Sequence, residues 1–121
     1  MILASPVITM GDFAHSGSRK YLLGDNPAKE LIDKYSTEKH VSAKTPPTFI
    51  FLASDDQSVN PKNSLMFYAA LLDNKVSATL HIFPTGGHSI PVKNGAGSSA
   101  VWTQTCELWM AEIGILPQAK K

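Results

Sequence analysis

The run Thr48-Phe49-Ile50-Phe51-Leu52-Ala53 constrains the fold more than any other stretch of the chain. After Thr48 it is continuously apolar instead of alternating, so neither face suits water. A strand of this kind belongs inside a mostly parallel sheet with helices packed on both sides. Pro46-Pro47 ends the segment before it, and Asp55-Asp56 follows it directly.

The flanking patterns agree. Residues 2–8 form a short apolar run that predicts a buried strand, weakened by Pro6. The stretch from Gly11 to Gly24 is rich in turn residues, and Ser18 is placed to cap a short helix over residues 19–23. Asn26-Pro27 opens a weakly amphipathic helix over residues 27–35, carried by Leu31, Ile32 and Tyr35. Residues 36–40 read as a connection or one extra turn. Asn60-Pro61 opens the strongest helix, in which Leu65, Tyr68, Ala69 and Leu72 predict one apolar face. Asn74 can end it. Ala78–Phe83 predicts a further strand, and residues 84–97 a loop around Gly86-Gly87-His88. Ser99 or a neighbour starts a last helix with Trp102, Cys106, Trp109 and Ile113 on one stripe. Strands that alternate with helices place the chain in the α/β class, with about three parallel strands flanked by helices. The 121 residues suit a single domain.

Composition removes several function classes. The net charge is +1 and the basic residues are scattered, so nothing favours nucleic acid or an anionic membrane as partner. Lys120-Lys121 reads as a solvated tail. The single cysteine, Cys106, makes neither an internal disulfide nor a multi-thiolate metal site. No pair of the four histidines has the spacing of a helical zinc site, so no metal is expected. There is no apolar run of about 18 residues to span a membrane, which points to a soluble protein. Residues 1–10 lack the basic region and cleavage site of a signal peptide.

In open parallel sheets, functional groups gather at the carboxyl ends of the strands. Asp55 and Asp56 follow one predicted strand, and His88 follows the next in a glycine-flanked loop. Adjacent strands would bring a carboxylate to an imidazole. That is the orienting half of a Ser-His-Asp triad, in which the acid holds the tautomer of a general base.

Three segments carry a resemblance. They are Thr45-Pro46-Pro47-Thr48-Phe49-Ile50-Phe51 through Asp55-Asp56-Gln57-Ser58-Val59, then Asn63-Ser64-Leu65 with Phe67-Tyr68, then Leu80-His81-Ile82-Phe83 through Gly86-Gly87-His88. Together with Gly17-Ser18-Arg19 and Leu22-Leu23-Gly24 they resemble the C-terminal portion of the α/β-hydrolase superfamily. The nearest branch is the bacterial acetyl-xylan-esterase and lipase-like enzymes. The resemblance covers nearly the whole chain. It implies a serine hydrolase of carboxylic esters that needs no cofactor, acting on a small ester or an acetylated carbohydrate. Peptidase chemistry stays open, since related folds share the same acid and base placement.

Carried over residue by residue, the triad acid is Asp56, three positions before Val59, and the triad base is His88. Asp55 is left a capping or bracing role. The family's nucleophile motif, G-x-S-x-G, occurs nowhere in the sequence, and its His-Gly-Gly oxyanion segment is absent too. The strand at residues 2–8 corresponds by order to the one after the nucleophile unit. The expectation is therefore a partial domain over residues 1–121, the C-terminal half of the fold. The parent protein could be secreted or periplasmic, and nothing in the residues assigns a location.

Other readings compete. Ser18 could stand in as nucleophile, although a helix cap fits it better. Cys106 lies within an amphipathic stripe, which argues for a buried, inert thiol. Trp102 and Trp109 share that stripe as core anchors. Asn60, Asn63 and Ser64 look like helix-start chemistry. His81 reads as a packed or surface residue in a strand, and the sequence names no partner for His15 or His40. A different function class is a non-catalytic assembly module. Its exposed strand edge at residues 2–8 would pair with a second copy or with a separate N-terminal half. A truncated product with no function of its own is the third possibility.

Overall fold

In the computed structural model, strand β2 (Thr48–Ala53) is buried at every position and paired along both edges. The structure describes residues 1–89 and 97–117. β1 (Ile2–Ala4) and β3 (Ala78–Phe83) run parallel to β2 on either side, giving the order β1-β2-β3. Leu3, Ile50 and Leu80 stand in one row across the sheet, and Ala4, Phe51 and His81 in the next. The continuous apolar run is thus what a strand without a solvent face needs.

The two faces of β2 build two cores. Phe49, Phe51 and Ala53 meet Cys106 and Trp109 of α4 (Trp102–Glu112), together with Phe83. Trp102 stacks on Phe51 with ring centroids 4.3 Å apart and planes 8° from parallel. The expected Trp102, Cys106, Trp109 and Ile113 stripe is the buried face of α4. On the opposite face, Ile50 packs with Ile8, Val76, and Phe67 and Leu71 of α3 (Lys62–Asp73). The result is a three-layer α/β/α arrangement, one sheet between two helical layers.

Several local expectations are corrected. The first strand stops at Ala4 instead of reaching Ile8. Ser5 adopts a left-handed φ of 42°, and Pro6 has no N–H to offer a ladder. Ile8 and Met10 are buried all the same. The buried face of α3 is Asn63, Ser64, Phe67 and Leu71, not the face centred on Leu65 and Leu72. Those two leucines are 44% and 52% exposed. Tyr68 lies between the two stripes and is partly buried. The apolar count misplaces the face because two polar residues go inward: Ser64 is buried, and the buried Asn63 side chain is fully hydrogen-bonded. α1 spans Ser16–Leu23, with His15 as its N-cap instead of Ser18. α2 spans Lys29–Tyr35, and the extra turn at Thr37–His40 is a 3-10 turn. Asn74 caps α3, donating its side-chain amide to the Ala70 carbonyl at 2.9 Å. A 3-10 turn at Gly97–Val101 leads into α4. Residues 90–96 of the expected loop and the Lys120-Lys121 tail lie outside the described residues. Among the described residues, no helix is long and apolar enough to cross a membrane.

Leu71→Ala is expected to cost about 2–5 kcal/mol of unfolding free energy in urea denaturation. Leu72→Ala, on the exposed side, should cost less than about 1 kcal/mol. Equal costs would contradict the assigned face.

Candidate active site

Asp56 sits in the turn that leaves β2, with its side chain almost fully buried. Its Oδ1 accepts the backbone N–H groups of Ser58 and Val59, both at 2.9 Å. This Asx-type turn explains the three-residue step to Val59: the carboxylate closes the turn by answering the amides ahead of it. Oδ2 stays available and meets His88 Nδ1 at 2.9 Å. β2 and β3 are adjacent and parallel, so the turns leaving their carboxyl ends lie side by side. The sequence-predicted pair is therefore brought together.

His88 lies in a 3-10 turn, Gly87–Ser89. Gly86 and Gly87 hold φ of 146° and 58°, a region that side-chain-bearing residues rarely adopt. Asp55 accepts their N–H groups, from Gly86 at 3.3 Å and Gly87 at 2.8 Å. The neighbouring aspartates thus divide the work. Asp55, expected to cap or brace its own turn, braces the loop that carries the histidine, and Asp56 holds the ring. With Nδ1–H donating to Asp56, the lone pair of the neutral ring sits on Nε2. The His88 side chain is 47% exposed, so a reacting group can reach it. The arrangement can orient an imidazole, accept a proton at Nε2 and stabilise the resulting cation.

Burial raises the Asp56 carboxyl, but the Val59 amide, the His88 ring and the Ser58 amide outweigh it. The net effect holds Asp56 below its ordinary carboxylate range.

The other candidates are placed elsewhere. Ser18 lies inside α1, with its Oγ 2.9 Å from His15 Nδ1. It is not at a strand-to-helix elbow. Burial, followed by the charge of Glu107, pushes the Cys106 thiol up, which disfavours the thiolate. The His81 ring packs on Phe49 at 5.0 Å, and His40 Nε2 is 3.0 Å from the Asp33 carbonyl. Asn60 does helix-start work, accepting from the Lys62 amide at 3.0 Å. Among the described residues, no group of three or more His, Cys, Asp or Glu could hold a metal ion.

Asn63 does far more than start a helix. It is fully buried, and its Oδ1 accepts from Ile8 N–H at 2.9 Å and Thr9 N–H at 3.0 Å. Its Nδ2 donates to the carbonyls of Phe13 at 2.8 Å and Asn60 at 3.0 Å. One side chain thereby fastens the segment after β1 to the start of α3, beside the Asp56 turn. No local signal reveals this, since three of its four partners are distant in sequence.

Residues 4–112 match the prolyl oligopeptidase family. The chain belongs to this family of α/β-hydrolases. Its relatives include endo-1,4-beta-xylanase B of Butyrivibrio fibrisolvens, 40% identical over 94 residues, covering 78% of this chain and 15% of that protein. The acetylxylan esterase of Xylanibacter ruminicola is 37% identical over 92 residues, covering 72% and 19%. Among solved structures, an acetyl ester-xyloside bifunctional hydrolase from Caldicellulosiruptor lactoaceticus superimposes with a TM-score of 0.91 at 44% identity. That match covers 95% of this chain and 42% of the other. The chain thus spans less than a fifth of the curated relatives it matches. These matches place this member of the prolyl oligopeptidase family among the esterase-like α/β-hydrolases.

Two outcomes test the site. Asp56 has a lowered folded-state pKa, so it contributes stability that is present above its unfolded value near ~4 and lost as pH falls through the folded value. In pH-dependent denaturation, the wild type should lose stability below about pH 4 more steeply than Asp56→Asn; parallel curves would count against the carboxylate. Asn63→Ala should cost more than about 2 kcal/mol in urea, because it strands buried amides and carbonyls.

Proposed function

We propose that this chain supplies the acid and base of a Ser-His-Asp triad that hydrolyses carboxylic esters. The observation that carries the reading is the 2.9 Å contact between Asp56 Oδ2 and His88 Nδ1, with the other carboxylate oxygen occupied by backbone amides. In this reading His88 Nε2 takes the proton of a serine hydroxyl as that oxygen attacks the acyl carbon. Asp56 keeps the ring in the right tautomer and stabilises the imidazolium. The proton passes to the departing alcohol, and a water activated by the same nitrogen hydrolyses the acyl-enzyme. The names of the relatives, an acetylxylan esterase and an acetyl ester-xyloside hydrolase, favour acetylated carbohydrate over a peptide bond as substrate.

The nucleophile and oxyanion donors must come from outside these residues, since no G-x-S-x-G lies within them. A second reading, as an assembly module, is favoured by the outer edge of β1. Ile2 is 47% exposed there and Ala4 is also exposed. An apolar groove of about 300 Å³ beside it is lined by Ile2, Trp102, Cys106 and Met110. Such an edge suits pairing with a strand of a second copy or of a nucleophile-bearing N-terminal half. The two readings join if the partner brings the serine.

Hydrolysis of p-nitrophenyl acetate tests both. The chain alone should stay at the buffer background. Mixed with an N-terminal half carrying G-x-S-x-G it should turn over, and His88→Ala should lower that rate by about 10³-fold or more. Robust turnover by the chain alone, lost in His88→Ala, would sink this reading and turn the search to Ser18 and Cys106.

A further inference from the structure

A cavity of about 440 Å³ opens between the start of α1 and the turn that carries Asp56. Its walls include His15, Ser16, Ser54, Gln57, Ser58 and Asn60. That volume falls within the range of small-molecule sites. The lining offers hydroxyl, carboxamide and imidazole groups but no lysine or arginine, and little apolar surface. It does not suit an alkyl chain, an aryl ring or a phosphate. Groups that both donate and accept suit a polyhydroxylated ligand, whose hydroxyls do the same.

His15 is built into this wall. Its Nδ1 accepts the Ser18 N–H at 3.2 Å and lies 2.9 Å from Ser18 Oγ. In the neutral ring this leaves the proton on Nε2, and Nε2 has no hydrogen-bond partner among the described residues. Gly17 clears the space the ring needs. A Cβ there would come within 3.1 Å of His15 Cε1. Glycine is a poor helix former, yet it occupies the second position of an eight-residue helix. The ring therefore has a defined seat and a free donor.

We infer that this cavity receives the sugar alcohol of an acetylated carbohydrate, with His15 Nε2–H donating to a sugar hydroxyl. The inference rests on the ester-hydrolase reading above and names where the leaving alcohol binds. Asp56 also lines the cavity, so a sugar held there lies against the turn that carries the triad acid.

The test titrates this chain with methyl β-D-xylopyranoside, a pentoside without an acyl group, while imidazole nitrogen resonances are followed by NMR. His15 should shift saturably, and His40 and His81 should not. His15→Asn retains a side-chain acceptor for the α1 cap but lacks the ring donor. It should bind the sugar at least tenfold more weakly with unchanged helical circular dichroism. Gly17→Ala, which displaces the ring, should weaken binding in the same direction. Silent His15 resonances at tens of millimolar sugar, or undiminished binding by His15→Asn, would overturn the inference. The two readings fail separately. A saturable His15 response without ester turnover by the assembled protein overturns the hydrolase reading and keeps the sugar site. Turnover of p-nitrophenyl acetate with His15 silent does the reverse.

Discussion

Burial of Thr48–Ala53 on both faces and along both edges is the constraint from which the other elements take their places. A strand without access to water must have its amides and carbonyls answered by neighbouring strands and its side chains by a layer on each face. β1 and β3 meet the first demand, and α3 and α4 meet the second. Because all three strands are parallel, their carboxyl ends open on the same side. The turns carrying Asp56 and His88 are neighbours for that reason.

What holds the site in shape is mostly backbone amide. Asp56 spends one oxygen on the N–H groups of Ser58 and Val59, and Asp55 spends both of its oxygens on those of Gly86 and Gly87. The Asp56–His88 contact is thus made between two turns that are each pinned independently. Asn63 adds a third fastening, tying the segment after β1 to the start of α3. Preorganisation of this kind lets a carboxylate orient a ring without being pulled away by water.

The described residues also leave surfaces that they do not cover. The outer edge of β1 and the groove beside it are apolar, whereas the cavity beside α1 is polar. The apolar surface suits a polypeptide and the polar one a hydroxylated small molecule.

Local pattern alone determined the class of fold and the three parallel strands, and it put Asp55, Asp56 and His88 at one end of the sheet. These follow from an unbroken apolar run, from strand-helix alternation, and from the rule that such sheets gather polar groups at one end. The resemblance to the α/β-hydrolases singled out Asp56 as the partner of His88. Other features lay beyond the local pattern. The pattern offers Ser18 as the cap of the first helix, and only the packed start of α1 gives that role to His15. Counting apolar residues rotates α3 onto Leu65 and Leu72, because it treats Asn63 and Ser64 as outward-facing. Asn63 is buried since Ile8, Thr9 and Phe13 meet its amide from the other side of the fold. Periodicity reads contacts within one element. A buried polar side chain is decided by hydrogen-bond partners that only the assembled tertiary structure brings within reach.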